Sequence, residues 1–158
     1  MKILIAGDFC PHDRVATMVA NKDYSFFDGV KDIIKESDYS IVNFECPVVE
    51  GDAKPIAKCG PALRTERAAV AAMKYAGFNC ATLANNHFRD FGDSGCLTTI
   101  EEVEAQNIDY VGGGKTLAEA QKVLYKDIQG KKVALVNFCE NEFSIATATT
   151  AGAAPLDS

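Results

Sequence analysis

The chain has 158 residues, a formal net charge of −6 and a hydrophobic content of 47%. That length suits one domain with a real core. The acidic balance argues against nucleic-acid binding, which needs a basic face, and disfavours an anionic membrane surface. No apolar run approaches the roughly 20 residues that span a bilayer. The first residues also lack a signal-peptide pattern, so we expect a cytoplasmic chain or one without its targeting segment.

The first half of the chain alternates predicted strands and helices. Lys2–Gly7 is a continuous apolar run, which is typical of a buried strand in a parallel or mixed sheet. Apolar residues at helical spacing predict a helix over Tyr24–Glu36, followed by a strand at Tyr39–Phe44. Three prolines and two glycines predict an irregular loop over Pro47–Leu63, and an alanine-rich helix is predicted over Glu66–Tyr75.

The middle of the chain continues this alternation. Gly77 is expected to end the alanine-rich helix, and Asn79–Leu83 is predicted to form a third strand. Ser94 is expected to cap the next helix, which runs to about Gln106. The side chains predicted to face inward from that helix are Leu97, Ile100 and Val103.

The last third of the chain predicts a fourth strand, a short helix and a hairpin. Ile108–Val111 is the predicted strand, and Thr116 is expected to cap a helix through about Ala120. Val123–Ile128 and Lys132–Phe138 flank a Gln-Gly-Lys turn, as the strands of a hairpin do. The whole order indicates an α/β domain with a largely parallel sheet.

The end of the chain is rich in alanine and threonine. Residues 146–155 are low in complexity and carry no core pattern. They predict either a disordered tail or a chain cut inside its domain, at a loop between elements. We therefore expect 146–158 to be a loop or tail.

Polar residues follow three of the predicted strands. Gly7-Asp8 follows the first strand, Asn43-Phe44-Glu45 ends the second, and Asn85-Asn86-His87 follows the third. Ligands of open α/β sheets gather at the carboxyl ends of strands. Carboxylate and amide oxygens suit Mg²⁺ or Mn²⁺, and an imidazole can move a proton. Each residue alone is typical of a turn, but together they favour a functional site.

The six cysteines form no C-x-x-C pair, and the chain has two histidines, which argues against a structural zinc site. Cys10 and Cys46 each lie within two residues of a candidate ligand. They are either thiols without a role in the site, which is the interpretation we favour, or metal ligands.

A glycine run, Gly112-Gly113-Gly114, precedes Lys115-Thr116 and resembles the end of a phosphate-binding P-loop. The full motif requires a further glycine where this chain has Asp109. We therefore interpret the glycines as a tight turn from strand to helix, with nucleotide binding as the minor alternative.

Four motifs together resemble those of a known family. They are Gly7-Asp8, the N-x-E-x-P pattern at 43–47, the N-N-H-x-x-D-x-G pattern at 85–92, and Gly112-Gly113-Gly114 followed by Glu119-Ala120. In this order they resemble the bacterial capsule-synthesis family CapA, the poly-γ-glutamate biosynthesis proteins. The match covers nearly the whole chain.

The resemblance implies a fold. This family belongs to the calcineurin-like metallophosphoesterase superfamily, whose domain is a four-layer α/β/β/α sandwich around a two-metal site. Residues 1–158 would be the N-terminal half of that sandwich, a partial and truncated domain with a mostly parallel or mixed sheet. One side of the sheet would be exposed, which favours a homodimer.

The resemblance also implies site residues. Asp8, Glu45 and Asn86 would be metal ligands for two divalent ions (Mn, Mg, Fe or Zn). His87 would be the catalytic residue, which protonates the leaving group or steadies the transition state. The neighbours expected to support them are Asn43, Asn85, Asp90 and Cys10.

This sequence departs from the superfamily pattern in two ways. The superfamily has a histidine two residues after the first aspartate, where this chain has Cys10, and His12 is not a motif match. The remaining histidine ligands come from a second half, so we expect residues 1–158 alone to be inactive.

Two functions stay open. One is a metal-dependent phosphoesterase-type hydrolase of capsule or poly-γ-glutamate metabolism, acting on a phosphoester. The other is a non-enzymatic accessory protein that binds an anionic polymer on a degenerate phosphoesterase scaffold, which the net charge of −6 weakly opposes.

Overall fold

The computed structural model describes residues 1–156. Its centre is a four-stranded parallel sheet in the order β1-β2-β3-β4. Because all four strands run the same way, their carboxyl ends meet at one edge of the sheet, as predicted for an α/β domain. The strands are β1 (Ile3–Phe9), β2 (Tyr39–Phe44), β3 (Cys80–Thr82) and β4 (Asp109–Val111).

Helices cover one face of this sheet. Val42 and Phe44 of β2 pack there in a core that includes Val70 and Ile100. Side chains alternate between the faces of a strand, so Ile41 packs on the opposite face. The helices on this face are α1 (Asp13–Ala20), α2 (Lys31–Lys35), α3 (Arg67–Ala76) and α4 (Gly92–Ala105), whereas α5 (Leu117–Ala120) packs with Ala146 and Ala154.

The predicted hairpin covers part of the second face. It consists of β6 (Leu124–Ile128) and β7 (Lys131–Leu135), which pair antiparallel. Gln129 and Gly130 both have positive φ, at 52° and 73°, as a type I′ turn requires. Ile128 is buried with residues of β2, β3 and β4, so the hairpin closes a second, smaller core.

The alanine-rich end packs into the domain. Gly113–Gly114 (β5) pairs antiparallel with Gly152–Ala153 (β8). Ala146, Ala151 and Ala154 are also buried. The disordered-tail alternative is therefore wrong for 146–156, because small side chains here permit close packing instead of marking disorder. Residues 157 and 158 lie outside the described part of the chain.

Two predicted elements differ in the structure. The first strand was predicted to be buried, but β1 is an edge strand and Ile5 is 76% exposed. The single helix predicted over 24–36 is divided into a 3₁₀ turn at Ser25–Phe27 and the short helix α2. Gly29 lies in the intervening turn, where its low helix propensity favours an interruption.

Details of the helices also differ. Helix α1 was not predicted, although Val15 and Val19 have helical spacing. Ser94 is not a cap, because α4 begins at Gly92 and the Ser94 hydroxyl donates to the Phe91 carbonyl. The predicted inward position of Leu97 is wrong, since this side chain is 41% exposed, whereas Ile100 and Val103 are buried.

The predicted stop at Gly77 is confirmed, because this C-cap residue has a left-handed φ of 99°. Among residues 1–156, no helix is long and apolar enough to cross a membrane.

Candidate functional site

A β-bulge places the first candidate ligand. Ala6 and Gly7 of β1 lie opposite Val42 alone, so β1 carries one extra residue there. A bulge of this kind turns the following side chains to new directions. After the bulge, Asp8 is in register with Asn43 of the neighbouring strand.

A row of polar side chains crosses the carboxyl ends of three strands. Asp8, Asn43 and Thr82 are in register on β1, β2 and β3. The Asn43 amide donates to Asp8 Oδ1 at 2.8 Å, and the Thr82 hydroxyl donates to Asn43 Oδ1 at 3.1 Å. The row fixes Asn43 and leaves Asp8, which is exposed, facing solvent at the sheet edge.

The loop after β3 is attached to this row. Buried Asn85 donates through Nδ2 to Asn43 Oδ1 at 3.3 Å and to the Phe44 carbonyl at 3.1 Å. Its Oδ1 accepts the backbone N–H of His87 at 3.0 Å. Asn86, between them, is exposed, and its side chain has no hydrogen bond within the described residues. Asn85 therefore holds the loop, and Asn86 is presented outward.

His87 forms a buried pair with Asp90. Its Nδ1 lies 2.8 Å from Asp90 Oδ2, and Asp90 is fully buried. A carboxylate only accepts hydrogen bonds, so Nδ1 is the ring nitrogen that donates to Asp90, and Nε2 is left out of this contact. Within residues 1–156, Nε2 has no hydrogen-bond partner, which leaves it available to accept or deliver a proton.

A third charged group completes this cluster. Lys58, from the irregular loop, forms an ion pair with Asp90 Oδ1, and its Nζ lies 3.2 Å from His87 Nδ1. Sequence reasoning missed Lys58, because nothing in its neighbourhood of prolines and glycines distinguishes it from a solvent-exposed lysine. Thr82 was missed too, although its position in the strand register is a usable signal.

Cys10 and Cys46 interact with one another beside the candidate ligands. The hydrogen bond with Cys46 lowers the pKa of Cys10, against the opposing effects of burial and of the Glu45, Asp8 and Asp90 carboxylates. The same bond and burial raise the pKa of Cys46. The carboxylates that act on Cys10 come from β1, from the residue after β2 and from the loop that contains His87, so the strand ends converge.

These groups do not make a complete metal centre. Within residues 1–156, no cluster of three or more His, Cys, Asp or Glu side chains is arranged to hold a metal ion. The exposed oxygens of Asp8 and Asn86 suit a hard divalent ion in type. The donor set that the described residues supply is therefore partial, and a two-metal site requires further ligands.

The glycine run does not form a phosphate loop. Thr116 caps α5 by accepting the Glu119 N–H, and Glu119 in turn accepts the Lys115 N–H at 3.1 Å. The backbone N–H of Lys115 is therefore already bonded to a carboxylate of the same helix, which disfavours a phosphate there. Gly114 is needed for packing, since a Cβ there would lie 2.3 Å from the Ala120 nitrogen.

Comparison with known proteins identifies the family of the chain. A family model described as "Bacterial capsule synthesis protein PGA_cap" matches residues 2–156. The chain belongs to this family. The resemblance drawn from the four motifs is therefore confirmed, and the parallel sheet fits an N-terminal metallophosphoesterase-like half.

Two curated relatives in this family are similar to the chain. "Capsule biosynthesis protein CapA" of Bacillus anthracis is 35% identical over 125 residues, which are 78% of this chain and 30% of the relative. "PGA biosynthesis protein CapA" of Bacillus subtilis (strain 168) is 33% identical over 136 residues, 84% of this chain and 36% of the relative. The aligned part of the chain thus spans about a third of each relative's length.

Proposed function

We propose that the full-length protein is a metal-dependent phosphoesterase-type hydrolase of capsule biosynthesis, acting in poly-γ-glutamate metabolism. The observation that carries this proposal is the buried His87–Asp90 pair beside the polar row of Asp8 and Asn43. A loosely held surface histidine would have no need of a fully buried carboxylate partner. The name of the B. subtilis relative, PGA biosynthesis protein CapA, supports the link to poly-γ-glutamate.

His87 would act as the proton-transfer group. Asp90 fixes the ring through Nδ1, so that the imidazolium form of His87 can give its Nε2 proton to a leaving oxygen, or donate a hydrogen bond to the charge that develops on it, and is left as the neutral ring. Asn85 accepts the backbone N–H of His87 and so fixes the backbone from which the ring projects. The reacting group would thus be oriented before substrate binds.

Asp8, Glu45 and Asn86 are proposed as this chain's contribution to a site for two divalent ions. Such ions supply Lewis-acid charge and an activated water in phosphoester hydrolysis. Since the described residues give only a partial donor set, the proposal concerns the full-length protein and predicts little activity for residues 1–158 alone.

The test is hydrolysis of a generic phosphodiester, bis(p-nitrophenyl) phosphate, by the full-length protein. We expect turnover with Mn²⁺, loss of turnover with EDTA, and recovery when Mn²⁺ is added in excess. The Asp8→Ala variant should show no recovery, because it lacks a proposed ligand, whereas Asp13→Ala, an exposed aspartate of α1, should behave like the wild type. Turnover that is indifferent to EDTA would contradict the proposal.

The second candidate is a non-enzymatic accessory protein that binds an anionic polymer. Two observations favour it: the partial donor set, and Cys10 at the position where the superfamily has a histidine. Here the full-length protein would bind poly-γ-glutamate with the same affinity in EDTA as in Mn²⁺, and no phosphodiester would be hydrolysed. The two candidates therefore give opposite results in one pair of assays.

We also propose that the chain self-associates through the edge of β1. Ile5 is 76% exposed, and exposed Val30 and Ile33 line a groove of about 370 Å³ beside it. Antiparallel pairing of two β1 strands about Ile5 would bring the exposed Ile5 side chains of the two copies together. An unpaired edge is a ready template for such addition.

Sedimentation velocity over a concentration series tests this association. We expect a monomer–dimer equilibrium for the chain and a monomer for Ile5→Lys, which puts like charges opposite one another. Tyr125→Lys, at a residue that is 72% exposed on the hairpin, is the matched control and should dimerise normally. A wild-type chain that stays monomeric at every concentration would rule the interface out.

A further inference from the structure

Lys58 is unusually buried for a lysine. Its side chain is 4% exposed, although it belongs to an irregular loop rich in proline and glycine. Lysine is almost never fully buried unless it is paired. Its partner is the fully buried Asp90 carboxylate, so the loop places a lysine charge in the interior next to a carboxylate of opposite charge.

Asp90 holds the loop at three points. Its Oδ1 pairs with Lys58, its Oδ2 accepts the Leu63 N–H at 2.7 Å, and its backbone carbonyl accepts the Ile56 N–H at 2.9 Å. Oδ2 also faces His87 Nδ1 at 2.8 Å. The Asp90 carboxylate orients the His87 ring. The loop in turn holds Asp90, through the Lys58 side chain and through backbone N–H groups before and after Lys58.

The contact between Lys58 and His87 is indirect in effect. His87 Nδ1 cannot donate to Asp90 and accept from Lys58 at the same time. The shorter distance, 2.8 Å against 3.2 Å, assigns the Nδ1 hydrogen to Asp90. Lys58 consequently acts on the imidazole through the carboxylate: its charge attracts Oδ1 in an ion pair, which leaves Oδ2 turned toward His87.

We propose that Lys58 is a positioning residue for His87. By holding Asp90 Oδ1, it fixes Oδ2 against Nδ1 and so aims the Nε2 atom of the ring. That the direction of Nε2 matters for hydrolysis rests on the proposed function. The effect of Lys58 on the position of His87 does not. The competing interpretation is that Lys58 only tethers the loop, with no effect on the geometry of His87.

Histidine NMR on the 158-residue chain separates these interpretations, because the chain has only two histidines and His12 is exposed. With ¹⁵N-labelled histidine, the wild type should show a slowly exchanging Nδ1–H signal from His87 and none from His12. In Lys58→Met that signal should vanish into solvent exchange, because Asp90 is no longer held. Lys58→Arg, which restores charge and donors, should recover it.

A matched variant controls for loosening of the loop. Ile56→Ala removes an apolar side chain near Gly92 but keeps the backbone bond to Asp90. It should lower the melting temperature and leave the His87 signal intact. A Lys58→Met chain with an intact signal would overturn the proposal. If Lys58→Met does not fold, Lys58→Gln takes its place. Because Gln lacks the charge of the ion pair, loss of the His87 signal supports the proposal and an intact signal overturns it.

Kinetics of the full-length protein extend the test. Lys58→Met should lower kcat for bis(p-nitrophenyl) phosphate by about 10- to 100-fold, the usual cost of losing an orienting partner, with little change in KM. A wild-type protein without turnover would contradict the proposed function and leave the NMR result standing. Normal kcat in a variant that has lost the NMR signal would overturn the link between positioning and catalysis.

Discussion

Replacement of His87 by alanine is expected to lower kcat of the full-length protein for phosphodiesters by about 10²- to 10⁴-fold, the range that a positioned proton-transfer group contributes. Its Nε2 is the ring nitrogen that the Asp90 contact leaves available. The fall should be larger for an alkyl leaving group than for p-nitrophenolate. An alkoxide requires a proton to depart, whereas p-nitrophenolate is stable without one.

The second histidine provides the control for this experiment. His12 lies beside Asp13 on the exposed start of α1, and His12→Ala should leave kcat unchanged. Circular dichroism and melting temperature of His87→Ala should show that the fold persists. If the two leaving groups lost activity by the same factor, His87 would not be the proton donor, and a role in binding or structure would replace the one proposed.

The fold was largely predictable because its signals are local. The strand at 39–44 is buried on both faces and appears as an apolar run, and Gly77 adopts the left-handed cap that glycine favours. The predictions that failed were those in which packing overrides composition, such as the disordered tail. Alanines near 146–154 are small because β8 passes close to its neighbours, and a Cβ on Gly152 would lie 2.5 Å from the Ser144 carbonyl oxygen.

The site was predictable only in part, for a different reason. Asp8, Asn43 and Asn85 follow strands whose parallel order brings their ends together, so sequence position suggests their proximity. Lys58 reaches the site from an irregular loop, and no period or register fixes where such a loop places a side chain. The bulge in β1 that turns Asp8 toward Asn43 likewise arises from strand pairing, which one strand's sequence does not contain.

Replacement of Asp90 by alanine is expected to cost about 3–5 kcal/mol of unfolding free energy, because it leaves a buried lysine without its counter-charge. It also removes the acceptor of the Leu63 N–H. Urea unfolding would measure this loss. The melting temperature should fall by roughly 10 °C, given that 1 kcal/mol corresponds to about 2–4 °C in a protein of this size.

An exposed aspartate on the same stretch of chain is the matched control. Asp93 pairs with Arg89 at 2.6 Å, but its side chain is 43% exposed, so Asp93→Ala should cost less than about 1 kcal/mol. Adding Lys58→Met to Asp90→Ala should recover part of the loss, because the uncompensated charge is then gone. Equal costs for the two aspartates, or no recovery in the double variant, would show that the loss reflects packing of the loop and not the buried charge on Lys58.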